Sequence, residues 1–219
     1  LGDAGRNLPA GLLDAARTEM ASLERQTGKR FGGGDDPLLV SVRSGSAMSM
    51  PGMMDTILNL GLNETTLAAL IRHTGNERFG FDAWRRFIQL FGKVALGVPD
   101  ALFDAPFEAV KTRVGVKQDV MLGADELREI GERFLQVVQR HTGQPFPADP
   151  YEQLEIAIKA VFNSWTGKRA IDYRREFRIT PAMANGTAVN VVAMVYGNMG
   201  NDSATGVGFT RSPATGENQ

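Results

Sequence analysis

The chain has 219 residues, 42% of them hydrophobic, with 24 Lys and Arg against 25 Asp and Glu, for a formal net charge of -1. That size allows one large domain or two small ones around a substantial core, and the near-neutral charge gives no electrostatic footprint for nucleic acid or an anionic membrane surface. No apolar run approaches the roughly 18 residues a membrane helix requires, and the absence of cysteine excludes disulfides and thiolate metal sites and fits a reducing, cytoplasmic setting.

The chain opens at Leu1 rather than Met, already inside a helical pattern and with no signal peptide, so we expect an excised piece of a larger protein. From about Pro9 to Gln26, Leu12, Leu13, Ala16, Met20 and Leu23 form a helical stripe. After Pro37, Leu39, Ser41 and Arg43 alternate with Leu38, Val40 and Val42, which predicts a short strand stopping at Ser44-Gly45 with Arg43 at its end. The next loop holds Gly45, Pro51 and Gly52, which allow tight turns and close approach to a ligand. It also holds Met48, Met50, Met53 and Met54, flexible apolar side chains able to close over one.

An arginine set against such a loop points to a phosphate-binding site that would suit a nucleotide. The plainer alternatives are a solvated arginine and an ordinary Pro-Gly turn, in which case the methionines need another domain to cover them. Asp55 and Thr56 likewise read either as ligand contacts or as a helix cap before Ile57 and Leu58.

From about Asn63 to Trp165 the pattern is helical. The stripes are Leu67, Leu70 and Ile71 behind an Asn63 cap; Phe81, Trp84, Phe87, Ile88 and Phe91; Phe103, Phe107, Val110 and Val114; and Leu127, Ile130, Phe134, Leu135 and Val138. The last runs through Leu154, Ile158, Val161, Phe162 and Trp165, opened by an Asp149 cap with Pro150 at the first helical position. Gln26-Thr27-Gly28, His73-Thr74-Gly75 and His141-Thr142-Gly143 each follow an arginine and end a stripe, where glycine can take the left-handed conformation that stops a helix. A short basic helix begins at Lys168, and Thr187 to Tyr196 reads as a buried strand. After a turn at 197–202, Ala204 to Arg211 reads as the returning antiparallel strand. Strands at both ends with helices between them give an α+β class in which the two ends meet, divided at 1–62, 63–166 and 167–219.

Other constellations carry less chemistry. The second glycine-containing segment, with Gly206, Gly208, Arg211 and Gly216, reads as a phosphate-cradling loop or as a plain hairpin, and it lacks the spacing of a dinucleotide fingerprint. Neither Thr27-Gly28-Lys29-Arg30 nor Thr166-Gly167-Lys168-Arg169 completes a P-loop. His73 and His141 sit at helix ends and are poor catalytic candidates. Asp100, Asp104 and Glu108 read as a solvated acidic face. Arg85 and Arg86 either support the nucleotide loop or flank the helical core.

The segment SMPGMMDTILNLGLN with its preceding Arg43, TAVNVVAMVYGN at Thr187 to Asn198, and ATGVGFTRSPATGE at Ala204 to Glu217 closely resemble the nucleotide-binding domain of the pyruvate, phosphate dikinase family. The resemblance runs through the whole chain. It implies a partial ATP-grasp-type domain, truncated at both ends, with an inserted all-helical subdomain. It implies that Arg43 contacts the phosphates of ATP and acts as the catalytic cation. Gly52, Met53, Met54, Asp55 and Thr56 would lie along ATP, and Val191, Val192, Ala193 and Met194 would pair with adenine through the backbone. The family more often has Gln-Thr where Val192-Ala193 stand here, so a glutamine side-chain contact is lost.

The resemblance further implies Mg2+ with ATP, its acidic ligands and an ATP-contacting lysine expected in flanking segments. Implied partners are ATP or AMP, phosphate and diphosphate, and a phosphohistidine domain of the same polypeptide, in a homodimeric full-length protein. Lys168, Arg169, Arg174, Arg175 and Arg178 then read either as a surface helix face or as a docking surface for that domain. The alternative to an enzyme is a non-catalytic nucleotide-binding relative or a helical interaction module.

Overall fold

The structure, a computed structural model, describes residues 8–218; the helical pattern read at Leu1 lies outside them. Helix α1 (Leu12–Thr27) leads into a two-residue parallel bridge between β1 (Arg30–Phe31) and β2 (Pro37–Leu38). Then come β3 (Val40–Ser46) and β4 (Thr56–Leu60), helices α2 (Glu64–Thr74), α3 (Glu77–Ala95), α4 (Asp100–Val114), α5 (Ala124–Thr142), α6 (Pro150–Ser164) and α7 (Lys168–Glu176), and finally β5 (Thr187–Ala193). The class is α+β, and the distant chain segments do meet. The main sheet has the order β4-β3-β5, antiparallel throughout.

The helices follow their local signals. Asn63 accepts from Thr66 N while the Thr66 hydroxyl accepts from Asn63 N, a reciprocal cap that satisfies two otherwise orphaned donors. Asp149 caps α6 by accepting from Glu152 N at 2.8 Å. The three predicted stops at Gly28, Gly75 and Gly143 are left-handed, with φ of 70°, 62° and 72°. Among the described residues, no helix is long and apolar enough to cross a membrane.

The strands depart from expectation in four ways. First, β3 continues to Ser46, so Arg43 lies in mid-strand rather than at its end; pairing with β5, from Val40↔Ala193 to Ser46↔Thr187, carries the ladder past the glycine. Second, Asp55-Thr56 does not cap a helix, because Thr56 opens β4 opposite Arg43. Third, β5 is an edge strand with one face exposed rather than a buried one: Val189, Val191 and Ala193 pack on the core, while Ala188, Asn190 and Val192 face outward. Fourth, Ala204 to Arg211 forms no strand, and its Val207 and Phe209 are 81% and 68% exposed.

The ladder between β3 and β4 carries one bulge. Val40 pairs with Leu60 and Val42 with Ile57, so three residues of β4 span the interval of two on β3. Asn59 takes a left-handed φ of 65°, and its buried side chain donates to Ala83 O at 3.4 Å and accepts from Tyr196 Oη at 3.1 Å. The bulge lets both Ile57 and Leu60 turn inward although they stand an odd number of residues apart. Burial raises the Tyr196 phenol well above its ordinary value, so it remains a donor to Asn59.

One buried cluster runs from Val40, Val42, Ile57 and Leu60 of the sheet through Phe87, Ile88 and Phe91 of α3 to Phe134 of α5 and Val161 of α6. The opposite face of the sheet forms the floor of a cleft.

Candidate functional site

Antiparallel register sets Thr56, Arg43 and Asn190 side by side across β4, β3 and β5, on the face turned away from the core. That row forms the floor of a cleft of about 470 Å³. Its lining includes Ser41, Ser44, Gly45, Ser46 and Leu58 of the strands, and Met48, Ser49, Met50, Pro51, Gly52 and Met54 of the loop. Among the described residues, no acidic side chain lines it. Arg43 is exposed and makes no hydrogen bond or ion pair among the described residues, so a guanidinium with five donors stands uncompensated at the centre. The Ser46 hydroxyl is buried without a partner among them. A side-chain carbon on Gly45 would lie 2.5 Å from Asn190 Nδ2, so only glycine lets the Asn190 amide fold over β3 into the cleft.

The loop is built by a tight turn. Met53 N donates to Met50 O at 3.1 Å, with Pro51 second and Gly52 third at φ 73°, the arrangement of a turn that needs glycine in that place. The methionines are not free to close over a ligand as a set. Met50 is buried with Trp165 and Ala184, and Met48, Met53 and Met54 pack partly against them. The loop is thus covered from behind by the end of α6 and the segment after α7, and Met48, Met50 and Met54 present only part of themselves to the cleft.

The expected ligand contacts divide accordingly. Arg43, Gly52, Met54 and Thr56 line the cleft; Met53 and Asp55 do not. The Met53 amide is spent on the turn and the Asp55 amide donates to Ser164 Oγ at 3.3 Å, whereas the Gly52 and Met54 amides have no partner among the described residues. Of the segment expected to meet adenine, Val191 and Ala193 face the core, Val192 is 47% exposed on the cleft side, and the Met194 amide donates to Leu39 O at 2.8 Å. As the outer strand, β5 has one unpaired edge among the described residues.

Sequence reasoning passed over Ser46 and Asn190, which belong to the cleft only because β3 runs on past Gly45 and pairs with β5. Arg169, read from sequence as part of a basic surface face or docking surface, instead meets the loop: its guanidinium donates to Gly52 O at 3.3 Å and to Asp55 Oδ1 at 2.5 Å. Arg85 does not reach the loop. Its Nε donates to buried Asp82 at 2.9 Å and its guanidinium lies 4.8 Å from the Phe107 ring centre, which makes it part of the helical core. Of the acidic face on α4, Asp100 pairs with Lys93 and Glu108 with Lys111, and no cluster of three His, Asp or Glu occurs among the described residues. A larger groove of about 800 Å³ lies between α4 and α5, but there Glu129 and Glu132 balance Arg133 and Arg140, and nothing biases it toward an anion.

Comparison with known proteins identifies the family. The family described as pyruvate phosphate dikinase, AMP/ATP-binding domain, matches residues 6–219. The pyruvate, phosphate dikinase of Entamoeba histolytica is 60% identical over 214 residues, covering 98% of this chain and 24% of that protein. That of Giardia intestinalis is 54% identical over 209 residues, 95% of this chain and 23% of the relative. The chloroplastic pyruvate, phosphate dikinase 1 of Arabidopsis thaliana is 49% identical over 214 residues, 98% and 22%. The chain therefore spans about a quarter of the length of the curated relatives it matches. The match over residues 6–219 and the identity to these relatives place the chain in the pyruvate phosphate dikinase AMP/ATP-binding domain family.

Proposed function

We propose that this chain forms one wall of an ATP site within a partial ATP-grasp-type domain, with helices α2 to α6 as an inserted subdomain. The observation that carries the reading is the Arg43 guanidinium, flanked by Thr56 and Asn190 in a cleft where, among the described residues, it has neither a partner nor an acidic neighbour in the lining. A planar fork of donors matches phosphate oxygens, and the hydroxyls of Ser46 and Thr56 with the free Gly52 and Met54 amides supply further donors. During phosphoryl transfer this set would stabilise charge on the polyphosphate without reorganising.

Adenine pairing along Val191, Val192, Ala193 and Met194 belongs to the same reading. Its support is the free edge of β5, with Leu58 and Val192, 39% and 47% exposed, as apolar contacts on the cleft face. Because the Met194 amide is already bonded to Leu39, the pairing would fall to the backbone of Val191 to Ala193.

Mg2+ would arrive with ATP and neutralise its phosphates. These residues do not fit a metal site of their own, since the cleft lining holds no carboxylate and the nearby Asp55 is engaged by Arg169. At the level of a whole protein, the reading extends to a cytoplasmic, homodimeric pyruvate, phosphate dikinase. It would phosphorylate a histidine in another domain of the same polypeptide from ATP and phosphate, releasing AMP and diphosphate, and pass the phosphoryl group to pyruvate to give phosphoenolpyruvate.

A charged hydrogen bond contributes about 1.5 to 3 kcal/mol, so Arg43→Ala should weaken binding of magnesium-ATP to this chain at least tenfold by calorimetry. Equal affinities for variant and parent would overturn the assignment of Arg43. A parent chain that binds no ATP would favour a helical interaction module over either an enzyme or a non-catalytic nucleotide-binding relative.

A further inference from the structure

We propose that Arg169 is a positioning residue for the nucleotide loop, reaching from α7 to hold Pro51 to Asp55 in the shape that lines the Arg43 cleft; the inference rests on reading that cleft as the ATP site. One planar guanidinium meets both ends of the segment, donating through Nη1 to Gly52 O at 3.3 Å and through Nη2 to Asp55 Oδ1 at 2.5 Å. A second tie lies beside it: the Asp55 amide donates to Ser164 Oγ, whose own proton goes to Val161 O at 2.7 Å. Behind the loop, Met50 packs on Trp165, over whose ring Arg174 stacks at 4.0 Å while donating to Trp165 O at 2.9 Å. The corner between α6 and α7 therefore holds the loop by an apolar centre and two polar ties.

The tie matters because the groups it orients are the ones left free. Within Pro51 to Asp55, Gly52 and Met54 are the residues whose amides have no partner among the described residues, and they stand on either side of the Gly52 carbonyl that Arg169 grips. When a loop spends only part of its time in the binding shape, apparent affinity falls by that fraction. The magnitude is bounded by exposure. The Arg169 side chain is 62% exposed and Asp55 25%, and ion pairs near the surface are weak. Two acceptors on one fork raise the contribution, so we expect an effect of about fivefold rather than a hundredfold. A lysine, with a point charge on a flexible stem, cannot reach both acceptors at once.

The test is amide hydrogen exchange and magnesium-ATP calorimetry on the parent chain, Arg169→Ala, Arg169→Lys, Asp55→Asn and the double variant Arg169→Ala with Asp55→Asn. We expect Arg169→Ala to speed exchange at Met53 and Asp55 about fivefold and to weaken ATP by a similar factor, with α3 amides and the thermal midpoint unchanged. Arg169→Lys should restore neither in full, and the double variant should be no worse than Arg169→Ala alone. Unchanged exchange at residues 52–55 overturns the clamp. Faster exchange with unaltered ATP affinity overturns the positioning role, as does acceleration spread evenly over all amides with a lower midpoint. If the parent binds no ATP, the site reading fails and the positioning role with it, while the exchange data still decide whether the clamp exists.

Discussion

Asp82 and Arg85 are 5% and 4% exposed, one turn apart on α3, and their pairing shows how a charge is kept inside this protein. Burial pushes the Arg85 pKa below its ordinary value, and Asp82 is the main influence pulling it back. Asp82 also accepts from Arg86 Nε at 2.8 Å, and Asp119 stands 3.8 Å from Arg85. Removing one partner of a buried pair leaves the other charge uncompensated, at a cost of about 3 to 5 kcal/mol. Asp82→Ala should fall at the lower end, about 3 kcal/mol by urea denaturation, because Asp119 remains; a loss under 1 kcal/mol would mean that water reaches Arg85. From sequence, Arg85 had two readings, loop support or core flank, because spacing along a helix gives the face a residue occupies but not which neighbour meets that face. Asn59 was harder still. Its left-handed φ and its place in a bulge depend on hydrogen bonds to Ala83 and Tyr196, and Tyr196 lies far along the chain.

At the scale of elements, legibility divides by the range of the signal. Helix starts at Asn63 and Asp149 and stops at Gly28, Gly75 and Gly143 are written within four residues of the boundary, and each is where the pattern put it. Asn63 accepts from Thr66 N at 2.9 Å and donates from Nδ2 to Ala148 O at 3.2 Å. Loss of such a cap costs about 1 to 2 kcal/mol, so Asn63→Ala should lower the unfolding free energy by that much, read as a lower urea midpoint with an unchanged slope. Asn63→Asp should keep the cap and lose only the bond to Ala148; if it proves as unstable as Asn63→Ala, the cap is not the source. Strand limits follow a different rule. How far β3 runs is decided by β5, and how exposed β5 is depends on whether anything lies beyond it, which an apolar run such as TAVNVVA does not say. The same gap explains the methionines: their number required a cover, but that Trp165 and Ala184 supply it is a fact of packing. Arg43 and the Gly52 turn were legible as a candidate site, while the places of Ser46 and Asn190 in its cleft and the contact of Arg169 with its loop became visible only with the register and the α6–α7 corner in place.

Across the whole molecule, sheet and helices share one interior. Val42 and Ile57, fully buried on the inner face of the sheet, lie in the same cluster as Phe134 of α5, whose ring meets Phe103 edge-on at 5.0 Å. The cleft is on the outer face of that sheet, so the rigidity of the Arg43 row derives from the helices behind it. If 63–166 unfolded independently, a cavity in α5 would leave the sheet amides as protected as before; if the shared core makes one cooperative unit, it would not. Deleting a buried phenyl ring costs about 3 to 5 kcal/mol. We expect Phe134→Ala to lower the exchange protection of Val42 and Ile57 by the same free energy as that of the slowest α5 amides, with one transition on heating. Loss confined to α4 and α5, with Val42 and Ile57 retaining their parental protection, would instead establish two units. In that case Arg43 would keep its geometry in variants whose helical part has melted, and such variants would still bind ATP wherever the parent does.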